Sequence, residues 1–128
     1  MSSRVTIAFD MSHYQDQLRI HCTHGQDSAQ ALAWFVRCLV CRGNATDFDP
    51  RDLLMSYICD NFGEGFIYRD DAAEIFEGII TNVRARLPGF NPYEDGLTHV
   101  KTGEVGVTRL GYVYINMSSE TFTKWVSA

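Results

Sequence analysis

No nucleophile elbow of the Gly-x-Ser-x-Gly type, no glycine-rich phosphate cradle and no His-Glu-x-x-His pair occurs in this chain. Those absences remove the usual sequence signatures of α/β-hydrolases, P-loop nucleotide enzymes and zinc proteases. Long hydrophobic runs are missing too. The most apolar stretch, Ala29–Cys41, covers about 13 residues, whereas a membrane-spanning helix needs roughly 20. Lys and Arg never form a run, and the net charge is −5, a poor basis for gripping a nucleic-acid backbone. The segment MSSRVTIAFDMSH has no basic start followed by an apolar stretch. Neither a Gly after Met1 nor a C-terminal Cys box is present. A cytoplasmic protein without leader or lipid anchor is the expectation. Repeats, low-complexity tracts and linkers are absent as well, so residues 1–128 read as one globular domain.

What is present is organised around Ser28–Arg42, SAQALAWFVRCLVCR. Between Ala29 and Cys41 only Gln30 and Arg37 are polar. At 3.6 residues per turn those two fall within about 20° of each other. One thin polar stripe on an otherwise apolar helix predicts a buried central helix, with Asp27 or Ser28 as its N-cap and Gly43-Asn44 ending it.

The flanking elements follow from period and punctuation. Val5, Ile7 and Phe9 alternate along a strand, and Leu18, Ile20 and Cys22 do the same across residues 17–23. With polar Asp10–Asp16 between them, an N-terminal hairpin is expected. Asp49-Pro50 opens a second helix that buries Leu54, Met55, Ile58 and Phe62 and stops at Gly63. A third starts at Asp70 or Asp71, where Asp71 and Glu74 form a partial capping box. It runs through Ala72, Ile75, Phe76, Ile79, Ile80, Val83 and Leu87 to Pro88-Gly89. Strand-like sequence returns at Thr98–Thr102, Val105–Arg109 and Tyr112–Met117, and Ser118 or Ser119 caps a short last helix with Phe122, Trp125 and Val126. The predicted fold is α+β. It consists of a small, mostly antiparallel sheet (N-terminal hairpin plus C-terminal strands), three central helices and a short C-terminal helix.

Cysteine supplies the first chemical candidates. Cys38-Leu-Val-Cys41 with His21, Cys22 and His24 has ligand types that suit zinc. However, the Cys pair falls inside an apolar helix rather than on a tight turn, and neighbouring strand residues point to opposite faces. As a redox pair it would lie at the wrong helix end, since the dipole lowers a thiol pKa at the N-terminus. Cys22 as a nucleophile, with His13, His21, His24 or His99 as base, is the enzymatic alternative. Tyr112 and Tyr114, near Lys101 and Arg109, make a stacking platform for single-stranded nucleic acid a further alternative.

Charge is the stronger signal. Residues 47–77 carry nine acidic side chains (Asp47, Asp49, Asp52, Asp60, Glu64, Asp70, Asp71, Glu74, Glu77) against Arg51 and Arg69. That segment therefore holds −7 and the rest of the chain +2. Phe48, Tyr57, Phe62, Phe66 and Tyr68 are interleaved with it. Acidic groups with aromatic anchors suit a basic protein groove. The expected function is a small, non-catalytic protein-binding inhibitor, in surface character like those of phage and mobile elements. The nine acidic residues with Phe48, Phe66 and Tyr68 would meet a partner with a basic surface. Neither cofactor nor metal, nucleic acid nor membrane is expected, and a homodimer is compatible with this reading.

Overall fold

The computed structural model describes residues 3–23, 25–40, 50–92 and 105–127. The elements run β1 (Arg4–Asp10), α1 (Ser12–Arg19), α2 (Ser28–Val40), α3 (Pro50–Phe62), α4 (Arg69–Arg86), β2 (Val105–Val107), β3 (Tyr112–Ser118) and α5 (Ser119–Val126). The fold is the expected α+β, with an antiparallel sheet in the order β1-β3-β2. Alternation sets its two faces. Val5, Ile7 and Phe9 stand opposite Met117, Ile115 and Val113 on the helix-covered side. Thr6, Ala8, Tyr112 and Tyr114 are exposed on the other. The carbonyls of Ala8 and Asp10 accept hydrogen bonds from Arg86 and Asn82 of α4, which thereby covers part of the β1 edge.

The N-terminal hairpin does not form. Residues 12–19 are helical, and the ladder partner of β1 is β3. Met11, Tyr14, Gln15 and Leu18 follow i, i+3, i+4, i+7 spacing, and Met11, Gln15 and Leu18 are buried. Ile20, which strand alternation would bury, is 80% exposed. Gln15 is the polar member of the buried stripe. Its Nε2 donates to Ser28 Oγ at 3.2 Å and to the Arg109 carbonyl at 3.0 Å, so one amide ties α1 to α2 and to the β2–β3 turn. That turn passes close over the start of α1, where Met11 N–H donates to the Gly111 carbonyl. Gly111 has φ +88°, and a Cβ there would lie 2.5 Å from Ser12 Cα. Only glycine meets both demands.

The central helix is as expected. Gln30 is exposed, Trp34 and Arg37 are partly buried, and Ala31, Leu32, Phe35, Val36, Cys38, Leu39 and Val40 are buried. Asp27 caps it: its carboxylate accepts the N–H of Ala29 and its carbonyl that of Ala31. The expected end at Gly43-Asn44 lies outside the described residues, as does the expected strand at Thr98–Thr102. α3 buries Pro50, Leu54 and Ile58, with Met55 and Phe62 partly buried. α4 starts at Arg69, with extended Tyr68 as N-cap making no side-chain cap bond. This corrects the expected start at Asp70 or Asp71. Both carboxylates lie in the first turn, where they favour the helix through its dipole instead of capping it. Ser118 caps α5, accepting the Thr121 N–H at 3.2 Å.

Candidate functional site

Each described acidic residue of the charged segment is exposed: Asp52 and Asp60 on α3, Glu64 in the connection, and Asp70, Asp71, Glu74 and Glu77 on α4. The apolar positions of α4 face the core, and its four carboxylates lie off that face in water. Asp70, Glu74 and Glu77 then fall within an arc of about 60°, and Asp71 turns about 100° from Asp70. Arg69, one of two basic residues in the segment, is held by the Asp52 carboxylate, which joins the start of α3 to the start of α4. Tyr68 stands beside these carboxylates at 79% exposure. Phe66 does not: it is 7% exposed and stacks on Phe62 with ring centroids 4.7 Å apart. Its ring packs largely into the core, with only an edge reaching a surface hollow, and does not project among the carboxylates as Tyr68 does. Asp47, Phe48 and Asp49 lie outside the described residues.

Of the hollows that adjoin the acidic face, two meet at the end of α1, and the pattern of charges gave no sign of them. One, of about 200 Å³, lies between α1 and α4 and is lined by Gln17, Ile20, His21, Asp71, Glu74 and Ile75. The other, of about 400 Å³, is lined by Ile20, His21, Thr23, Gln26, Phe62, Glu64, Gly65 and Phe66. Ile20 and His21 belong to both. Gln26 fixes the second hollow, since its Oε1 accepts the Thr23 N–H and its Nε2 donates to the Phe62 carbonyl, each at 2.9 Å. The signal that would have marked Ile20 is its place outside the Met11–Leu18 helical stripe.

The cysteine candidates are placed differently. Cys22 lies after α1, partly buried, and its thiol donates to the Leu18 carbonyl at 3.4 Å. Burial, then the Asp27 carboxylate, pushes the thiol pKa up, with Arg19 acting weakly the other way. A thiol so placed is mostly protonated at neutral pH, the opposite of an activated nucleophile. Cys38 is buried in α2. Among the described residues no three of His, Cys, Asp and Glu converge as metal ligands. His24 and Cys41 of the zinc candidate, and His99 of the candidate bases, lie outside them.

On the sheet, Tyr112 and Tyr114 are each 42% exposed on one face of β3. Tyr114 stands between Ala8 and Gly106 in register, so small residues flank its ring, while Asp10 is opposite Tyr112. Arg109 is exposed in the adjoining turn, and Lys101 lies outside the described residues. Among the described residues no helix is long and apolar enough to cross a membrane. No protein-family model matches the chain, and neither curated proteins nor solved structures gave a match.

Proposed function

We propose that this chain is a small non-catalytic protein-binding protein, an inhibitor that covers a positively charged partner with the acidic side chains of α3, α4 and their connection. The observation that carries the reading is the exposure of all seven described carboxylates between Asp52 and Glu77, with Tyr68 projecting among them. Carboxylates of one sign on adjoining elements raise encounter rates with a cationic surface, and an exposed tyrosine supplies contact area at small entropic cost. The protonated, hydrogen-bonded thiol of Cys22 weighs against the enzymatic alternative.

Comparative capture tests this. Bait carrying Asp52→Asn, Asp70→Asn, Asp71→Asn, Glu74→Gln and Glu77→Gln is set beside wild type in extract from the source cells, at low salt. The expected result is a basic protein retained by wild type, released as salt rises, and retained at least tenfold less by the variant. Equal retention of the same proteins by both baits rejects the acidic-face reading.

The exposed Tyr112–Tyr114 pair supports a second reading, a stacking surface for single-stranded nucleic acid. Tyrosine fluorescence that is quenched on titration with oligo-uridylate, and no longer responds after Tyr112→Ala and Tyr114→Ala, would favour it.

A further inference from the structure

We infer that the Ile20–His21 ridge and its two flanking hollows form the docking groove for a basic segment of a partner protein, one with a large apolar side chain between pairs of Lys or Arg. The inference rests on the acidic-face reading and locates it.

Three observations meet at this place. First, Ile20 is a large apolar side chain held 80% exposed immediately after α1, beside Ile75 in one mainly apolar hollow and beside Phe62 and Phe66 in the other, whose lining is mainly polar. Second, each hollow has carboxylates in its wall, Asp71 and Glu74 on the α4 side and Glu64 on the α3 side. A chain crossing the ridge would therefore meet an apolar contact in the middle and negative charge to either side. That order selects a segment with the complementary order, cation–apolar–cation, over one that is only basic. Third, the groove is held in shape. Gln26 bonds the loop after α1 to the end of α3, and the His21 ring rests against Phe66 at 6.3 Å. On the other side Tyr14 OH donates to the Gly78 carbonyl at 2.9 Å, fixing α1 on α4. A preformed groove loses little entropy on binding. Nearby Arg19 is paired with Asp16 at 2.6 Å, which lessens its repulsion of a cationic ligand.

The probes are three short peptides, RRLRR, RRSRR and EELEE, titrated into isotope-labelled full-length protein at low salt and followed by amide and methyl chemical shifts. RRLRR should perturb Ile20, His21, Glu64–Phe66 and Asp71–Ile75 as one connected set. RRSRR should bind at least threefold more weakly, and EELEE should leave the set unmoved. Ile20→Ser should reduce RRLRR affinity to that of RRSRR. Asp71→Asn with Glu74→Gln should lower affinity for both basic peptides by about tenfold at low salt. The substituted positions Ile20, Asp71 and Glu74 are exposed, so an unchanged spectrum elsewhere confirms that each variant is folded. Shifts centred on Asp52, Asp60, Asp70 and Glu77 with no preference for leucine would overturn the groove and leave the acidic face standing. Absence of any response to either basic peptide would overturn both.

Discussion

Asp10 shows how a single side chain joins two elements. It ends β1 and faces Tyr112 across the ladder, and its carboxylate accepts both the backbone N–H of Ser12 at 3.0 Å and the Ser12 hydroxyl at 2.6 Å. The strand therefore hands over directly to α1, with a carboxylate at the positive end of the helix. The Ser12 side-chain bond, then the backbone bond, pulls the Asp10 pKa below its usual 3.8. A folded pKa below the unfolded one gives stability that is present above the unfolded value and lost as pH falls through the folded one. Asp10→Asn should accordingly lower the urea midpoint at pH 7. The gap to wild type should close as the pH is taken from 4 down past the depressed value. A gap independent of pH would mean that the variant loses stability for reasons of shape and not of charge. Gln15 works in the same structural corner by a different route, since its buried amide is useful only because Ser28 and the Arg109 carbonyl are both within reach.

At the scale of elements, α5 is the clearest case of one residue fixing a helix. Trp125 is its buried member, 2% exposed and edge-on to Phe90 with centroids 4.8 Å apart. The Gly89 N–H donates to the Trp125 carbonyl at 2.7 Å, and a Cβ at Gly89 would come within 2.0 Å of the Ser127 carbonyl oxygen. α5 thus lies directly on the turn after α4. Trp125→Ala removes the ring and should cost about 3–5 kcal/mol, a large part of the stability of an ordinary domain. Equilibrium urea unfolding would measure it, and a loss under about 1 kcal/mol would show that α5 is held chiefly by its backbone contacts.

The same elements show what a sequence discloses and what it conceals. α2, α3, α4 and α5 were legible because each joins a helical apolar period to punctuation: Asp27, Pro50, Pro88-Gly89 and Ser118. α1 was concealed because one of its buried positions is a glutamine. Without Gln15 in the stripe, Leu18, Ile20 and Cys22 look like alternation, yet Ile20 faces solvent. Of the candidate site, the exposure of the carboxylates could be anticipated from charge alone. The burial of Phe66 and the hollows beside Ile20 could not, because both depend on how the end of α3 and the loop after α1 meet. Gln26, which bonds across that junction, carries no pattern of its own.

Across the whole molecule, the helices cover one face of a sheet whose strands come from distant parts of the chain. Arg4 pairs with Ser118 and Asp10 with Tyr112, while the Ser119 N–H donates to the Ser3 carbonyl. Among the described residues β3 is the sole ladder partner of β1. With all seven residues of β1 in register on β3, the two strands are expected to open as one unit. In native-state hydrogen exchange, the ladder amides of β1 and β3 should report the same opening free energy under mild urea. Separate values, with β1 the lower, would show that β1 detaches while β3 remains paired with β2.

That pairing also bears on how the protein is made. A ribosome delivers β1 first and β3 only after all four intervening helices. Among the described residues Val5, Ile7 and Phe9 have no ladder partner until β3 emerges, although helices can form from local contacts in the meantime. Among the described residues, the β1–β3 ladder can close only after α1 to α4 have been made. The time translation takes from residue 11 to residue 118 therefore sets how long the apolar side of β1 waits for its ladder partner, an interval in which an unpaired strand is open to misassociation.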